Sequence, residues 1–153
     1  MRIYLELGTN LGDKELNLRV AVQKIEERIG KVISLSAFYA TAPWGFQSDN
    51  NFLNAAAGVE TSLSPFDILE RTQQIEQEIG RLHKSHDGVY SDRLIDIDLL
   101  LYGDKILQDE RLSLPHPLMA ERKFVLEPLA EIAPDVVHPV LHKTIRELFL
   151  VLS

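Results

Sequence analysis

Apolar Ile3, Leu5 and Leu7 alternate with Arg2, Tyr4 and Glu6, the period-two pattern of a strand over 2–7. Turn formers fill 8–13. Leu18, Ala21, Val22, Ile25 and Ile29 then recur at helical spacing, and Gly30 stands where a helix stop is expected. The β-branched and aromatic run 31–40 predicts a second strand, 41–50 a polar and aromatic loop, and 52–62 a third strand antiparallel to the second. Ser64, Pro65 and Asp67 carry the start signal of a second helix. Its Ile68, Leu69, Thr72, Ile75 and Ile79 share one face, and Gly80 is expected to end it. A loop of mixed charge spans 81–92, a strand 93–102, and Gly103-Asp104 turns the chain into 105–107. Segments 118–131 and 144–152 read as helices, separated by the Pro-punctuated stretch 133–139.

The order strand–helix–strand–strand–helix–strand is the split βαβ pattern, which predicts an α+β, ferredoxin-like antiparallel sheet with helices packed on it and short C-terminal elements added. There is no internal repeat and no low-complexity linker, so 1–153 reads as one domain. Composition narrows the class. With 153 residues and 45% apolar positions the chain can bury a core. Sixteen Lys and Arg against 23 Asp and Glu give a net charge of −7, which argues against a nucleic-acid footprint. The absence of Cys removes disulfides, thiolate zinc sites and Cys nucleophiles. No apolar run approaches the roughly 20 residues of a membrane span, and the N-terminus lacks a signal pattern. A monomeric cytoplasmic protein without nucleic-acid or membrane partners is the expectation. Any polyanionic substrate must then be met by local positive charge.

The most informative stretch is Arg93-Leu94-Ile95-Asp96-Ile97-Asp98-Leu99. Residues two apart on a strand share a face about 7 Å apart, so Asp96 and Asp98 point one way and Ile95, Ile97 and Leu99 the other. Two acids in so apolar a run repel each other and lose hydration, and a divalent cation with oxygen preference, Mg²⁺ first, removes both penalties. The alternative is an outer face with two solvated acids. Arg81, His83, Lys84, His86 and Arg93 place positive charge before this strand, as phosphoryl transfer requires, although a solvated surface loop has the same composition. In Leu114-Pro115-His116-Pro117 two prolines stiffen the backbone around His116. Trp44, Phe46, Phe52 and Asn54 could form a slot for a flat heterocycle, although aromatics near strands commonly serve the core. Gly8-Thr9-Asn10-Leu11-Gly12 lacks both the Lys of a phosphate loop and full GxGxxG spacing. The loop 81–92, polar and containing Gly88, is a candidate lid.

Taken together, these blocks resemble the 6-hydroxymethyl-7,8-dihydropterin pyrophosphokinase family over nearly the whole chain. The resemblance rests on Gly8-Thr9-Asn10-Leu11-Gly12, Tyr39-Ala40-Thr41-Ala42-Pro43, Phe52-Leu53-Asn54-Ala55-Ala56, Ile75-Glu76 with Gly80-Arg81, Asp92 to Asp98, Pro115-His116-Pro117 and Glu127-Pro128-Leu129. It implies a ferredoxin-like fold and transfer of diphosphate from ATP to the pterin hydroxymethyl oxygen, releasing AMP, a step of tetrahydrofolate biosynthesis. It implies two Mg²⁺ ions held by Asp96 and Asp98, with Arg81 and Arg93 as catalytic cations. Gln73, Glu76, His83, Lys84, Tyr90, Leu99, Ser113, His116 and Arg122 fall on the ATP side. Asn10, Thr41, Ala42, Trp44, Phe52, Asn54 and Phe124 fall on the pterin side, Phe52 and Phe124 as the two sandwiching rings. His83 stands where the family commonly has Arg, Ser91-Asp92 where it has Gly-Pro, and Pro117 where it often has an aromatic. Two other classes stay open at this point: a different Mg²⁺-dependent nucleotidyl or phosphohydrolase enzyme, which leaves the slot around Asn54 without a role, and a non-catalytic ferredoxin-like module, which leaves Asp96 and Asp98 without one.

Overall fold

The computed structural model describes residues 1–41, 51–82 and 94–153. Strand β1 (Arg2–Thr9) leads to α1 (Lys14–Arg28), β2 (Lys31–Leu35), β3 (Tyr39–Thr41), β4 (Phe52–Glu60), α2 (Pro65–Leu82) and β5 (Asp96–Tyr102). A short hairpin, β6 (Leu107–Gln108) and β7 (Ser113–Leu114), precedes a 3-10 turn (Met119–Glu121), α3 (Lys123–Ile132) and α4 (Ile145–Leu152). The main sheet runs β2-β4-β1-β5 with every neighbouring pair antiparallel, and β3 also pairs β4. Two strand–helix–strand units interleaved in this order are the split βαβ arrangement.

The alternation in β1 becomes a two-sided sheet. Ile3, Leu5 and Leu7 join Ile97 and Leu99 of β5 in a core beneath α1 and α2, where Leu18, Ile25, Ile68 and Ile75 pack. On the opposite face Tyr4, Ala56, Leu100 and Leu101 pack against Leu126 and Leu129 of α3 and Ile145 and Leu148 of α4. The face that reads as polar in β1 is thus covered by the C-terminal third. Glu78 of α2 pairs with Lys24 and Arg28 of α1 at the rim of the first layer. Among the described residues no helix is long and apolar enough to cross a membrane.

Several boundaries differ from the sequence pattern for identifiable reasons. The run 31–40 is two strands, because the Ser36 hydroxyl enters the ladder and accepts from Ala56 N at 2.9 Å, while Ala37 N donates to Glu131 of α3. Helix α2 passes through Gly80 to Leu82; a side chain added at Gly80 would meet nothing within 4 Å, so no close approach requires glycine there. Gly30, by contrast, ends α1 under constraint: an added Cβ would lie 2.1 Å from Glu60 O. The segment 118–131 is broken by extended Arg122 (φ −117°, ψ 107°) into the 3-10 turn and α3. β7 has no counterpart in the sequence pattern. It pairs with β6, which begins at the end of the segment 105–107 that follows the Gly103-Asp104 turn.

Candidate functional site

Register alone brings the candidate residues to one face. Gly8 of β1 pairs with Asn54 on one side and Asp96 on the other. Directly paired residues present their side chains to the same face, so Asn54 and Asp96 flank Gly8 two strand spacings apart, about 10 Å. Gly8 is the floor between them, and a Cβ there would press to 2.9 Å from Asn54 Oδ1. One pair further along β1, Glu6 stands between Ala56 and Asp98. Phe52 pairs with Thr41, in the same alternation as Asn54. α3 covers this face and carries Phe124, half-buried like Phe52.

The Asn54 end is polar but ordered. Asn54 Nδ2 donates to Thr41 Oγ1 at 2.7 Å, which ties β4 to the end of β3. Asn10 and Asn54 are both buried. Asn17 of α1 donates to Thr9 Oγ1 (3.3 Å) and Leu11 O (2.9 Å), which fixes the loop after β1.

The Asp96 end is acidic. Asp96 and Asp98 are half-buried on the shared face, as their spacing predicts. Glu76 reaches the outer edge of β5 from α2 and accepts from Ile97 N at 2.7 Å. Burial, opposed by that bond and reinforced by Asp96 and Asp98, pushes the Glu76 carboxyl up to about 8. Glu6 was not among the sequence candidates. It is 4% exposed, neither of its oxygens has a hydrogen-bond partner among the described residues, and burial with Asp98 and Asp96 beside it holds its carboxyl well above the usual range. The signal available was a single acid in the polar alternation of β1, which reads equally well as a solvated position.

His116, Ser113 and Arg122 approach from the C-terminal elements. His116 N donates to Leu100 O (2.9 Å), which fastens the Pro-His-Pro segment to β5, and Leu118 N donates to His116 Nδ1 (3.3 Å). Burial and the Arg122 cation lower the His116 pKa, with Asp96 opposing them. The Arg122 guanidinium lies 5.7 Å from the Phe124 ring centroid. A groove of about 690 Å³ runs beside β6 and β7, lined by Ser113 and His116 with Asp109, Glu110, Glu121 and His138. Gln73 is exposed on α2, one turn before Glu76. The Leu99 side chain belongs to the core beneath α2, which leaves its backbone as the part open to a ligand. Arg81 lies in the last turn of α2. Ala42, Trp44, His83, Lys84, Tyr90 and Arg93, and the lid expected over 81–92 beyond Leu82, lie outside the described residues.

The donor set fits a hard divalent cation. Asp96 and Asp98 share a face, two further acids adjoin them, and the Glu6 carboxyl oxygens have no partner among the described residues. Among the described residues no three His, Cys, Asp or Glu side chains form a closed metal cage. That is how Mg²⁺ sites completed by substrate phosphates and water are built.

A family model described as 7,8-dihydro-6-hydroxymethylpterin-pyrophosphokinase matches residues 4–134. The chain is 49% identical over 139 residues to a Porphyromonas gingivalis protein named 2-amino-4-hydroxy-6-hydroxymethyldihydropteridine pyrophosphokinase, covering 90% of this chain and 93% of that one. A protein of the same name from Bacillus subtilis is 43% identical, covering 87% and 78%. A crystal structure of wild-type Plasmodium falciparum HPPK-DHPS superposes with TM-score 0.78 at 19% identity, over 99% of this chain and 44% of that longer one.

Proposed function

The chain belongs to the 7,8-dihydro-6-hydroxymethylpterin-pyrophosphokinase family, and from that premise we propose that its residues transfer diphosphate from ATP to 6-hydroxymethyl-7,8-dihydropterin in a Mg²⁺-dependent reaction. The pyrophosphokinase step of folate biosynthesis is the activity of this family. The observation that carries the assignment to this site is the register: Asn54, Gly8 and Asp96 lie in line across three strands, so a flat substrate read at Asn54 extends over Gly8 to the acids.

In this reading Asn54, oriented by Thr41, recognises the amide edge of the heterocycle, and Asn10 closes the buried side. Phe52 from the sheet and Phe124 from α3 supply its two apolar faces, and the family resemblance adds Ala42 and Trp44 to the pterin contacts. Asp96 and Asp98 would hold two Mg²⁺ ions, which supply neutralisation of phosphate charge and acidification of the alcohol when bound. Glu76 keeps β5 in place through Ile97 N, at the edge where Gln73 also stands. The family resemblance assigns Arg81, in the last turn of α2, and Arg93, with His83, Lys84 and Tyr90, to the triphosphate. His116 and Arg122 stabilise charge on the departing AMP. Its nucleoside end lies towards Ser113 and the Leu99 backbone, where the groove is acidic and suits a sugar or base better than phosphate.

Attack falls on the β-phosphorus: the alcohol oxygen forms the new P–O bond, the bond to the α-phosphoryl oxygen breaks, and AMP leaves with that oxygen. The test is product analysis. With ATP, Mg²⁺ and hydroxymethyl-dihydropterin, AMP and the pterin diphosphate should appear in equal amounts and only when the pterin is present. ADP as product, or turnover independent of pterin, would overturn the reading. A monomeric cytoplasmic enzyme without nucleic-acid or membrane partners is proposed with it, in keeping with the net charge of −7 and the lack of Cys.

A further inference from the structure

Glu6 is placed where an apolar residue would be the ordinary choice. The layer it enters is filled by Tyr4, Ala56, Leu100 and Leu101. Its cross-strand neighbours are a methyl group, Ala56, on one side and a second acid, Asp98, on the other. It is 4% exposed, and neither carboxylate oxygen has a hydrogen-bond donor among the described residues. Buried polar atoms are nearly always bonded, and a buried carboxyl facing another acid without a donor is costly. Packing does not call for it. What an acid supplies here, and Ala or Leu would not, is a carboxyl behind Asp98 whose two oxygens have no partner among the described residues, in a layer where water is excluded and a cation acts strongly on them. Directly opposed side chains stand about 5 Å apart at Cβ, so the Glu6 carboxyl lies close to any cation Asp98 holds. No closed three-residue cage exists among the described residues, so Glu6 is not a preformed ligand.

We propose that Glu6 is a positioning residue for the divalent cation, a third carboxyl behind Asp98 that tightens the hold of Asp96 and Asp98 before nucleotide arrives. Asp96 has a second acid on its outer side, Glu76, which is occupied by the Ile97 N–H. Glu6 carries no such bond among the described residues, which leaves both of its oxygens for a cation beside Asp98. The proposal rests on Asp96 and Asp98 being the cation pair.

The experiment is a Mn²⁺ titration of nucleotide-free protein, with free ion read by electron paramagnetic resonance, on wild type, Glu6→Gln and Asp98→Asn. Glu6→Gln is expected to weaken Mn²⁺ by about tenfold or more, the range seen when groups behind metal ligands are removed. Its melting temperature in chelator should equal or exceed that of wild type, because an orphaned acid has been removed, whereas the increase produced by Mn²⁺ should shrink. Asp98→Asn should bind far more weakly than either. If Glu6→Gln binds Mn²⁺ as wild type does while Asp98→Asn does not, the role of Glu6 is overturned and the aspartate pair stands. If wild type binds no Mn²⁺, or Asp98→Asn binds it unchanged, both are overturned. Should Glu6→Gln not fold, Glu6→Ala, which repeats the side chain across the ladder, is read by the same titration.

Discussion

Gly8, Glu6 and Asp98 show how much of a site a single side chain decides. At Gly8 the missing Cβ leaves Asn54 room, and in the proposed reaction it is the floor between the heterocycle and the acids. Asp96 and Asp98, about 7 Å apart along the strand, repel by about 2 kcal/mol at an effective dielectric near 20, less as far as solvent screens them. That repulsion is tolerable in a half-buried pair and turns into attraction once a cation is shared. Replacing Asp98 by Ala should therefore lower kcat by about 100-fold or more, the loss typical of an electrostatic group at a transferring centre, while pterin affinity measured by fluorescence changes little. A variant within threefold of wild type would show that the cation is held elsewhere. The aspartate pair was legible in the sequence because acids two apart inside an apolar strand have few ordinary explanations. Glu6 was not, because one acid in a clean alternation looks like a solvated position until the opposite face is known to be covered.

Elements differ in how they declare themselves. The helix expected over 144–152 is α4, and the structure shows a capping box at its start: Thr144 accepts from Glu147 N at 3.1 Å, and Glu147 accepts from Thr144 N at 3.0 Å. The break at Ser36 and the hairpin of β6 and β7 were not readable, since both depend on partners remote in sequence, Ala56 and Glu131 in the first case and Leu107 with Leu114 in the second. The turn before α4 has its own chemistry. His138 Nδ1 accepts from Val140 N (3.2 Å) and Leu141 N (3.0 Å), and His138 N donates to Lys143 O (2.8 Å). Burial, then His142, lowers the His138 pKa. The folded state thus favours the neutral ring, so its contribution to stability is complete above the unfolded value of about 6.5 and is lost as pH falls through the folded value. His138→Leu, which cannot accept these bonds, should be less stable than wild type by about 1–2 kcal/mol at pH 7.5. In urea unfolding the gap should narrow as pH falls below about 6.5. A gap independent of pH would mean that the ring does not act as an acceptor.

At the level of the molecule, an acidic chain handling a polyanion is reconciled by where its charges sit. The net charge is −7, yet the acids that matter in the proposed reaction recruit positive charge as metal, and Arg81, Arg93 and Arg122 add it from three separate segments. The same economy governs the fold, because one sheet serves two cores. β1 gives Ile3, Leu5 and Leu7 to the layer under α1 and α2 and Tyr4 to the layer under α3 and α4. β4 divides Ala55, Ala57 and Val59 from Ala56 in the same way. Neither helical layer can detach without exposing apolar residues on strands that the other layer needs, and the Asn54–Gly8–Asp96 line lies on those strands. The chain length is also near the range in which single domains unfold without intermediates. One cooperative domain spanning 1–153 is therefore the expected outcome, with near- and far-ultraviolet circular dichroism losing signal at a single urea midpoint. An early loss of helical signal with near-ultraviolet signal retained would show that α3 and α4 form a separable unit. The site face would then open independently of the sheet, and the pterin side would have to be assembled at each turnover instead of standing ready.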